Sequence, residues 1–324
     1  MGRPIAAYTD ADELDLSAGR RLLEEAGFEV RFIGSRDPEH IATVAADAVA
    51  LLVGYARIDA SLLHRLPTVR VIATLSAGYD MVDVQAAAQR GVWVANIPDG
   101  AVEEVAVHAL AMGLSLLRRL PMLDRHVRAG GWSTTVDERL IRPSTATFGL
   151  LGCGRIGQRT AALASPLFGE IVGYDPYVDE KRWPAMVRKV DLPDLLRSAD
   201  VLSLHLPLTA ETENMVNAEA LAMIRPGALL VNVARGRLLD SSAVRAALDS
   251  GRLAGAALDV LDHEPPAADD PLRSHPRTLV TPHSAYLSEE SQRDYVTRQA
   301  ANVVSWWRTQ RPNNPVQEIT DEAR

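Results

Sequence analysis

Three glycines, Gly152, Gly154 and Gly157, stand in the run Phe148-Gly-Leu-Leu-Gly-Cys-Gly-Arg-Ile-Gly157, a G-x-G-x-x-G spacing placed after an aliphatic run and before a stretch of helical period. Each glycine has a physical task in holding a dinucleotide. Gly152 permits a tight strand-to-helix turn, Gly154 lets the backbone approach a pyrophosphate, and Gly157 allows close packing of helix on sheet. The helix start that follows, at Arg155 and Ile156, offers free N–H donors to the phosphates, and the Arg155 side chain is open to either phosphate or solvent. The next aliphatic run, Glu170–Tyr174, ends at Asp175, which is 18 residues beyond Gly157. A carboxylate there accepts hydrogen bonds from a ribose diol and repels a 2′-phosphate, so the expected cofactor is NAD and not NADP.

A second set of chemistry-bearing residues follows three later aliphatic runs. Arg235 comes after Leu229–Ala234, Glu264 shortly after Ala256–Val260, and His283 after Leu279–Pro282. In a doubly wound sheet, ligands lie outside the carboxyl ends of the strands, so all three are expected at the crevice that receives the nicotinamide. The planar fork of an arginine suits a substrate carboxylate and polarises an adjacent carbonyl. Histidine can move the proton that ketone reduction requires. A glutamate beside it favours the imidazolium by charge and hydrogen bonding. Together these residues predict hydride transfer between a nicotinamide cofactor and a hydroxy or oxo acid.

Other chemistries find no matching pattern. The sequence lacks H-E-x-x-H, a Walker loop and a G-x-S-x-G elbow, and its remaining histidines have no paired metal-ligand spacing. The one cysteine, Cys153, cannot form an intrachain disulfide or a structural zinc site, and it suits a reducing compartment. If its place inside the glycine loop sets it beside the pyrophosphate, NAD should shield it from alkylation.

These residues must be positioned by regular elements, and the chain has room for them: 324 residues, 47% hydrophobic and 23% charged, suggest two globular domains. The formal charge of −8 argues against nucleic acid or an anionic membrane as partner. The first residues carry no basic-then-apolar signal pattern, and the longest apolar stretch, Val105–Leu117, is shorter than the roughly 20 residues of a membrane span. A cytoplasmic protein is expected.

Short β-branched or aliphatic runs alternate with helical segments, the pattern of parallel strands joined by crossovers. The first series of predicted strands is Ile5–Tyr8, Glu29–Ile33, Val49–Val53, Val69–Leu75 and Val92–Ala95. A helical stretch, Val102–Leu120, and a turn-rich segment, Ala129–Ser144, interrupt the rhythm. The second series runs Thr147–Gly152, Glu170–Tyr174, Val201–Leu206, Ala228–Val233, Ala254–Val260 and Thr278–Thr281. A last helix, Ser288–Arg308, carries Trp306 and Trp307. The fold class is α/β, with two doubly wound parallel sheets.

With these motifs in view, the sequence resembles the D-isomer-specific 2-hydroxyacid dehydrogenase family, nearly end to end. Leu75-Ser-Ala-Gly-Tyr-Asp80, Arg90-Gly-Val-Trp-Val94, Gly131-Trp132, the Gly152 loop, His205-Leu-Pro-Leu-Thr209, Arg225-Pro-Gly227, Asn232-Val-Ala-Arg-Gly236, Asp259 with Glu264-Pro265, and Thr281-Pro-His283 carry the resemblance. It implies a Rossmann NAD-binding domain, residues 99–285, inserted into a flavodoxin-like substrate domain of residues 1–98 and 286–324, with hinges near Ile97–Gly100 and Ala285–Leu287. Arg235, Glu264 and His283 become the substrate-orienting arginine, the acid partner and the general acid/base. Val233, Ala234 and Asp259 would lie against the nicotinamide, with Pro207 and Thr212 against the middle of the cofactor. Ala77 and Gly78 would offer N–H groups to the substrate carboxylate. A homodimer through the NAD domain is implied as well.

Two segments depart from the common family pattern. Val102-Glu-Glu-Val-Ala106, where a Thr at the position of Val102 and a Glu near Val107 are more usual, and His283-Ser-Ala-Tyr286 resemble the branch related to C-terminal-binding-protein corepressors. That branch implies an alternative function, an NAD(H)-sensing scaffold for a protein partner. Ala77 stands where phosphite-specific relatives carry lysine, so that substrate is not expected, and with 324 residues phosphoglycerate-type regulation by an extra domain is not expected either.

Overall fold

The computed structural model describes residues 2–11, 14–133 and 140–319. They form two compact units, one of residues up to Gly100 together with those from Ser288 onward, the other Ala101–Leu287.

In the first unit, strands β1 (Ile5–Tyr8), β2 (Glu29–Phe32), β3 (Ala50–Val53), β4 (Val71–Thr74) and β5 (Trp93–Ala95) pair in parallel in the order β2-β1-β3-β4-β5. β1, β3 and β4 are buried along their whole length, as strands covered on both faces must be. The crossover helices are α1 (Ser17–Glu25), α2 (Pro38–Val44), α3 (Ala60–Arg65) and α4 (Val84–Gln89). Asp37, Asp59 and Asp83 cap the last three by accepting from His40, Leu62 and Ala86 N–H groups.

In the second unit, α5 (Val102–Leu117) and α6 (Leu120–Arg128) precede β6 (Thr147–Leu151), α7 (Arg155–Ala164), β7 (Glu170–Tyr174), β8 (Arg188–Lys189), α8 (Leu192–Ser198) and β9 (Val201–Leu204). Next come α9 (Ala218–Met223), β10 (Ala228–Asn232), α10 (Ser241–Asp249), β11 (Leu253–Leu258) and β12 (Thr278–Val280). The parallel sheet has the order β12-β11-β10-β9-β6-β7-β8, so the chain reverses direction between β6 and β9. That reversal opens a crevice at their carboxyl ends. The closing helix α11 (Glu289–Thr309) begins with a capping box built on Ser288 and Ser291 and packs against the first unit's core through Ala300, Val303 and Trp306.

Two local expectations are corrected and one strand is added. The helix expected over 102–120 ends at Leu117, and a second helix, α6, starts after Arg119, which adopts a left-handed backbone (φ 56°). The break ends the apolar stretch, whose Val105, Ala106, Ala109, Met112, Leu116 and Leu117 are buried. β8 has two exposed residues and no hydrophobic alternation, so nothing in its sequence announces it. The strand expected over 69–75 is trimmed at both ends to β4. The middle of the turn-rich segment, residues 134–139, lies outside the described residues. Trp306 is buried, whereas Trp307 stays partly exposed and packs edge-on against Phe28 at 5.4 Å between ring centroids. Among the described residues, no single helix is long and apolar enough to cross a membrane.

Candidate active site

The site of the second unit grows from the carboxyl ends of β6, β7, β9, β10, β11 and β12. β6 leads into Gly152, whose φ of +100° belongs to the region that glycine alone enters freely. A Cβ there would sit 2.8 Å from the His205 carbonyl carbon, so the β9 loop closes tightly over the turn. A Cβ on Gly157 would lie 2.2 Å from the Gly152 carbonyl oxygen, which seats α7 directly on the loop. Around Gly154 a Cβ would meet nothing within 4 Å, so the backbone is bare on its outer side.

The helix starts add a contrast. α8, α9 and α10 are capped by the side chains of Asp191, Asn217 and Asp240, whereas α7 starts at Gly154 with no side-chain cap. Its first N–H groups are left for another acceptor, and an open cradle facing free donors fits a pyrophosphate. Asp175, nearly buried, accepts from Cys153 N–H at 2.8 Å and from Tyr177 N–H at 2.9 Å, one on each carboxylate oxygen. Each oxygen retains a lone pair for a ribose hydroxyl. Tyr177 Oη donates to Glu211, joining the loop after β7 to the loop after β9.

Cys153 turns its side chain away from the loop's open side into the protein, where a Cβ on Gly173 would sit 2.7 Å from Sγ. Burial, with the Asp175 charge adding to it, pushes the thiol up to about 12. Thr212 also turns inward: Oγ1 donates to the Pro207 carbonyl at 2.7 Å and accepts from Thr209 N–H at 2.8 Å, so its hydroxyl shapes the 207–212 loop. His205, at the start of that loop, pairs Nε2 with Ser203 Oγ at 2.9 Å, and desolvation pushes it down to about 3, which leaves it neutral.

At the far side of the crevice the structure brings Arg235, Glu264 and His283 together. Asn232 turns the chain after β10: its Oδ1 accepts from Ala234 N–H at 3.0 Å and its Nδ2 donates to the Arg235 carbonyl at 2.8 Å. Gly236 then presses onto Leu261, where a Cβ would lie 2.1 Å from backbone, so the β10 and β11 loops touch. Val233 is buried and Ala234 half-buried beside them.

His283 Nδ1 donates to Glu264 Oε2 at 2.6 Å, and Leu261 N–H donates to Oε1 at 2.9 Å. Burial raises the Glu264 carboxyl, but the hydrogen bond and charge of His283, the Leu261 N–H and the Arg235 charge bring it below the usual carboxylate range. The carboxylate is therefore ionised and can only accept, which assigns the Nδ1 proton to His283 and leaves Nε2 for a substrate. Tyr286 packs edge-on at 6.4 Å between ring centroids.

His283 adopts φ +51°, an uncommon backbone for a residue with a side chain, at a cost of about 1 kcal/mol. Asp259, only 2% exposed, sits beneath that turn. Its carboxylate accepts from Thr281 Oγ1 at 2.6 Å, Ser284 N–H at 2.9 Å and Ala285 N–H at 3.0 Å, while its carbonyl takes His283 N–H at 2.7 Å. His108 on α5 completes the group, with Nε2 at 3.1 Å from Thr281 Oγ1. His108 was not distinguished by sequence spacing, since its partners are more than 150 residues away.

Ala77 and Gly78 belong to the first unit, in the loop after β4. Asn96 Nδ2 holds the Ala77 carbonyl at 2.7 Å and Ser76 Oγ holds that of Gly78 at 2.7 Å. Among the described residues, no group of three or more His, Cys, Asp or Glu side chains is placed to hold a metal ion.

The family model described as D-isomer specific 2-hydroxyacid dehydrogenase, NAD binding domain, matches residues 110–285. A glyoxylate reductase of Korarchaeum cryptofilum is 35% identical over 271 residues, covering 82% of either chain. A D-3-phosphoglycerate dehydrogenase of Mycobacterium bovis is 37% identical over 294 residues, covering 90% of this chain and 54% of the relative. The chain thus spans about half the length of that relative. Among solved structures, a D-lactate dehydrogenase from Aquifex aeolicus complexed with NAD and lactic acid superposes with a TM-score of 0.88 at 25% identity, covering 97% of this chain and all of that one.

Proposed function

Because this chain belongs to the D-isomer specific 2-hydroxyacid dehydrogenase family, we propose that it interconverts a D-2-hydroxy acid and its 2-oxo acid with NAD. The observation that carries the proposal is the 2.6 Å pair of His283 and an ionised Glu264 within electrostatic reach of Arg235. NAD is the cofactor of the second unit; Gly152, Gly154, Arg155, Ile156 and Gly157 would hold its phosphates, and Asp175 its adenosine ribose. Pro207, Thr212, Val233, Ala234 and Asp259 complete the proposed cofactor wall. When bound as NADH, the cofactor supplies a hydride to the carbonyl carbon.

The remaining steps belong to the chain. Arg235 takes the substrate carboxylate in its planar fork and draws electron density from the neighbouring carbonyl. His283 delivers its Nε2 proton to the carbonyl oxygen during reduction and removes it during oxidation. Glu264 keeps the ring oriented through Nδ1 and compensates the imidazolium charge. We assign residues 1–98 and 286–324 to a substrate domain and 99–285 to the cofactor domain.

Dehydrogenase and reductase relatives support turnover over the cofactor-sensing scaffold that the corepressor-like segments suggest. Glyoxylate and hydroxypyruvate, the substrates in the names of two relatives, are the first 2-oxo acids to test. A homodimer through the cofactor domain is part of the proposal. The deciding experiment follows NADH oxidation by the purified protein against a panel of 2-oxo acids, with His283→Ala as control. Turnover that the substitution abolishes while NADH still binds is the expected result. Unchanged turnover in the variant would refute the assignment.

A further inference from the structure

We infer that His108 and Thr281 are positioning residues that lock the His283 turn through Asp259. The inference rests on the proposed role of His283 as general acid/base. A single Thr281 hydroxyl stands between two partners, Asp259 Oδ1 at 2.6 Å and His108 Nε2 at 3.1 Å. A hydroxyl has one proton to give, and the buried carboxylate can only accept. Thr281 therefore donates to Asp259 and accepts from His108, which must carry its proton on Nε2. The direction of the chain is settled from α5 inward: His108 to Thr281 to Asp259.

The far end of that chain is the turn itself. Asp259 takes the N–H groups of Ser284 and Ala285, the two residues after His283, and its carbonyl takes the N–H of His283. The left-handed backbone of His283 (φ +51°) persists only where the surroundings over-determine it. A carboxylate rotated out of this arrangement would release one of those N–H groups and let the turn relax. Thr281 opposes that rotation directly, and His108 opposes it through Thr281. His108 Nε2 also lies 3.7 Å from Asp259 Oδ1, close enough to add a direct attraction when the imidazole is protonated.

The test pairs Thr281→Val, which keeps the shape and removes the hydroxyl, with Thr281→Ser, which keeps the hydroxyl. His108→Leu and His108→Gln repeat the contrast for the donor. The first readout is amide hydrogen exchange at Ser284 and Ala285, which needs no turnover. The second is kcat against NADH affinity. Thr281→Val is expected to speed exchange at both amides and to lower kcat by about tenfold or more, as the loss of one well-placed hydrogen bond implies, with NADH binding kept. Thr281→Ser and His108→Gln are expected to recover most of both. Protected amides and wild-type kcat in Thr281→Val would overturn the inference, and so would equal losses in Thr281→Ser and Thr281→Val. If the wild-type protein reduces no 2-oxo acid, the proposed reaction fails, while the exchange contrast still decides whether the lock exists.

Discussion

Replacing Glu264 by glutamine tests the proposed chemistry at its most constrained point. The side chain keeps its size, loses its charge and gains two N–H donors. Both carboxylate oxygens are in use: Oε2 accepts from His283 Nδ1 at 2.6 Å and Oε1 from Leu261 N–H at 2.9 Å. A glutamine can satisfy only one of these. If its carbonyl faces Leu261, its NH₂ faces Nδ1 and favours the tautomer that cannot donate there. If its carbonyl faces His283, its NH₂ opposes the Leu261 N–H, leaving a donor without an acceptor.

Loss of a charge-assisted hydrogen bond costs about 1.5–3 kcal/mol, and partial exposure of this pair places it near the lower end. An opposed or unsatisfied donor adds about 1–2 kcal/mol. The sum, about 2.5–4 kcal/mol, corresponds to a fall of about two to three powers of ten in kcat/KM. The assay is steady-state NADH oxidation with the best 2-oxo acid, beside a fluorescence titration of NADH. The expected pattern is lost turnover with cofactor binding intact. A kcat/KM within about fivefold of wild type, in a variant that is folded and binds NADH, would refute the reasoning, since that is about 1 kcal/mol.

Asp175→Ala is expected to weaken NADH binding and erode the preference for NADH over NADPH, measured as the ratio of the two kcat/KM values. An unaltered ratio would assign discrimination to another residue. Gly152→Ala should lower stability by about 2–4 kcal/mol and abolish cofactor binding, because a side chain at φ +100° is strained and its Cβ meets the His205 backbone, which cannot swing away; thermal unfolding and NADH titration read both effects. Cys153 should resist iodoacetamide at pH 8 with or without NADH, because its thiol is buried and pushed up to about 12, and rapid labelling of the native protein would contradict its placement. Glu264 has a folded-state pKa below its ordinary value, so its contribution to stability is complete above about pH 5 and is lost as pH falls through the depressed value. The gap in melting temperature between wild type and Glu264→Gln should accordingly close on acidification, and a gap that widens would reverse the sign of the argument.

Much of the glycine loop was legible in the sequence because its determinants are local. The spacing of Gly152, Gly154 and Gly157 reports backbone demands within six residues, and Asp175 follows at the end of the next strand, so the strand-turn-helix unit carries its own signature. The strand cores were legible for a similar reason: parallel strands buried on both faces must be continuous apolar runs. Boundaries were less so. β8 has two exposed residues and is a strand only because β7 pairs with it. The division of the long helical stretch at Arg119 appeared only with the fold, where Arg119 donates to the Ala254 carbonyl at 2.8 Å, 135 residues away.

The sequence by itself determined which side chains were available for chemistry: Arg235, Glu264 and His283, each a few residues past an aliphatic run. Only the tertiary structure decided their mutual geometry. Glu264 and His283 are 19 residues apart in the chain, and they meet because β11 and β12 are neighbours in the sheet and their loops leave the same edge. The fold also set the directions of side chains that composition leaves open. It turned Cys153 into the core and Thr212 back onto its own loop, and it brought His108 from α5 to Thr281. Spacing along a chain encodes backbone preference over a few residues. A hydrogen bond across 173 residues depends on the packing of a whole helix against a whole sheet.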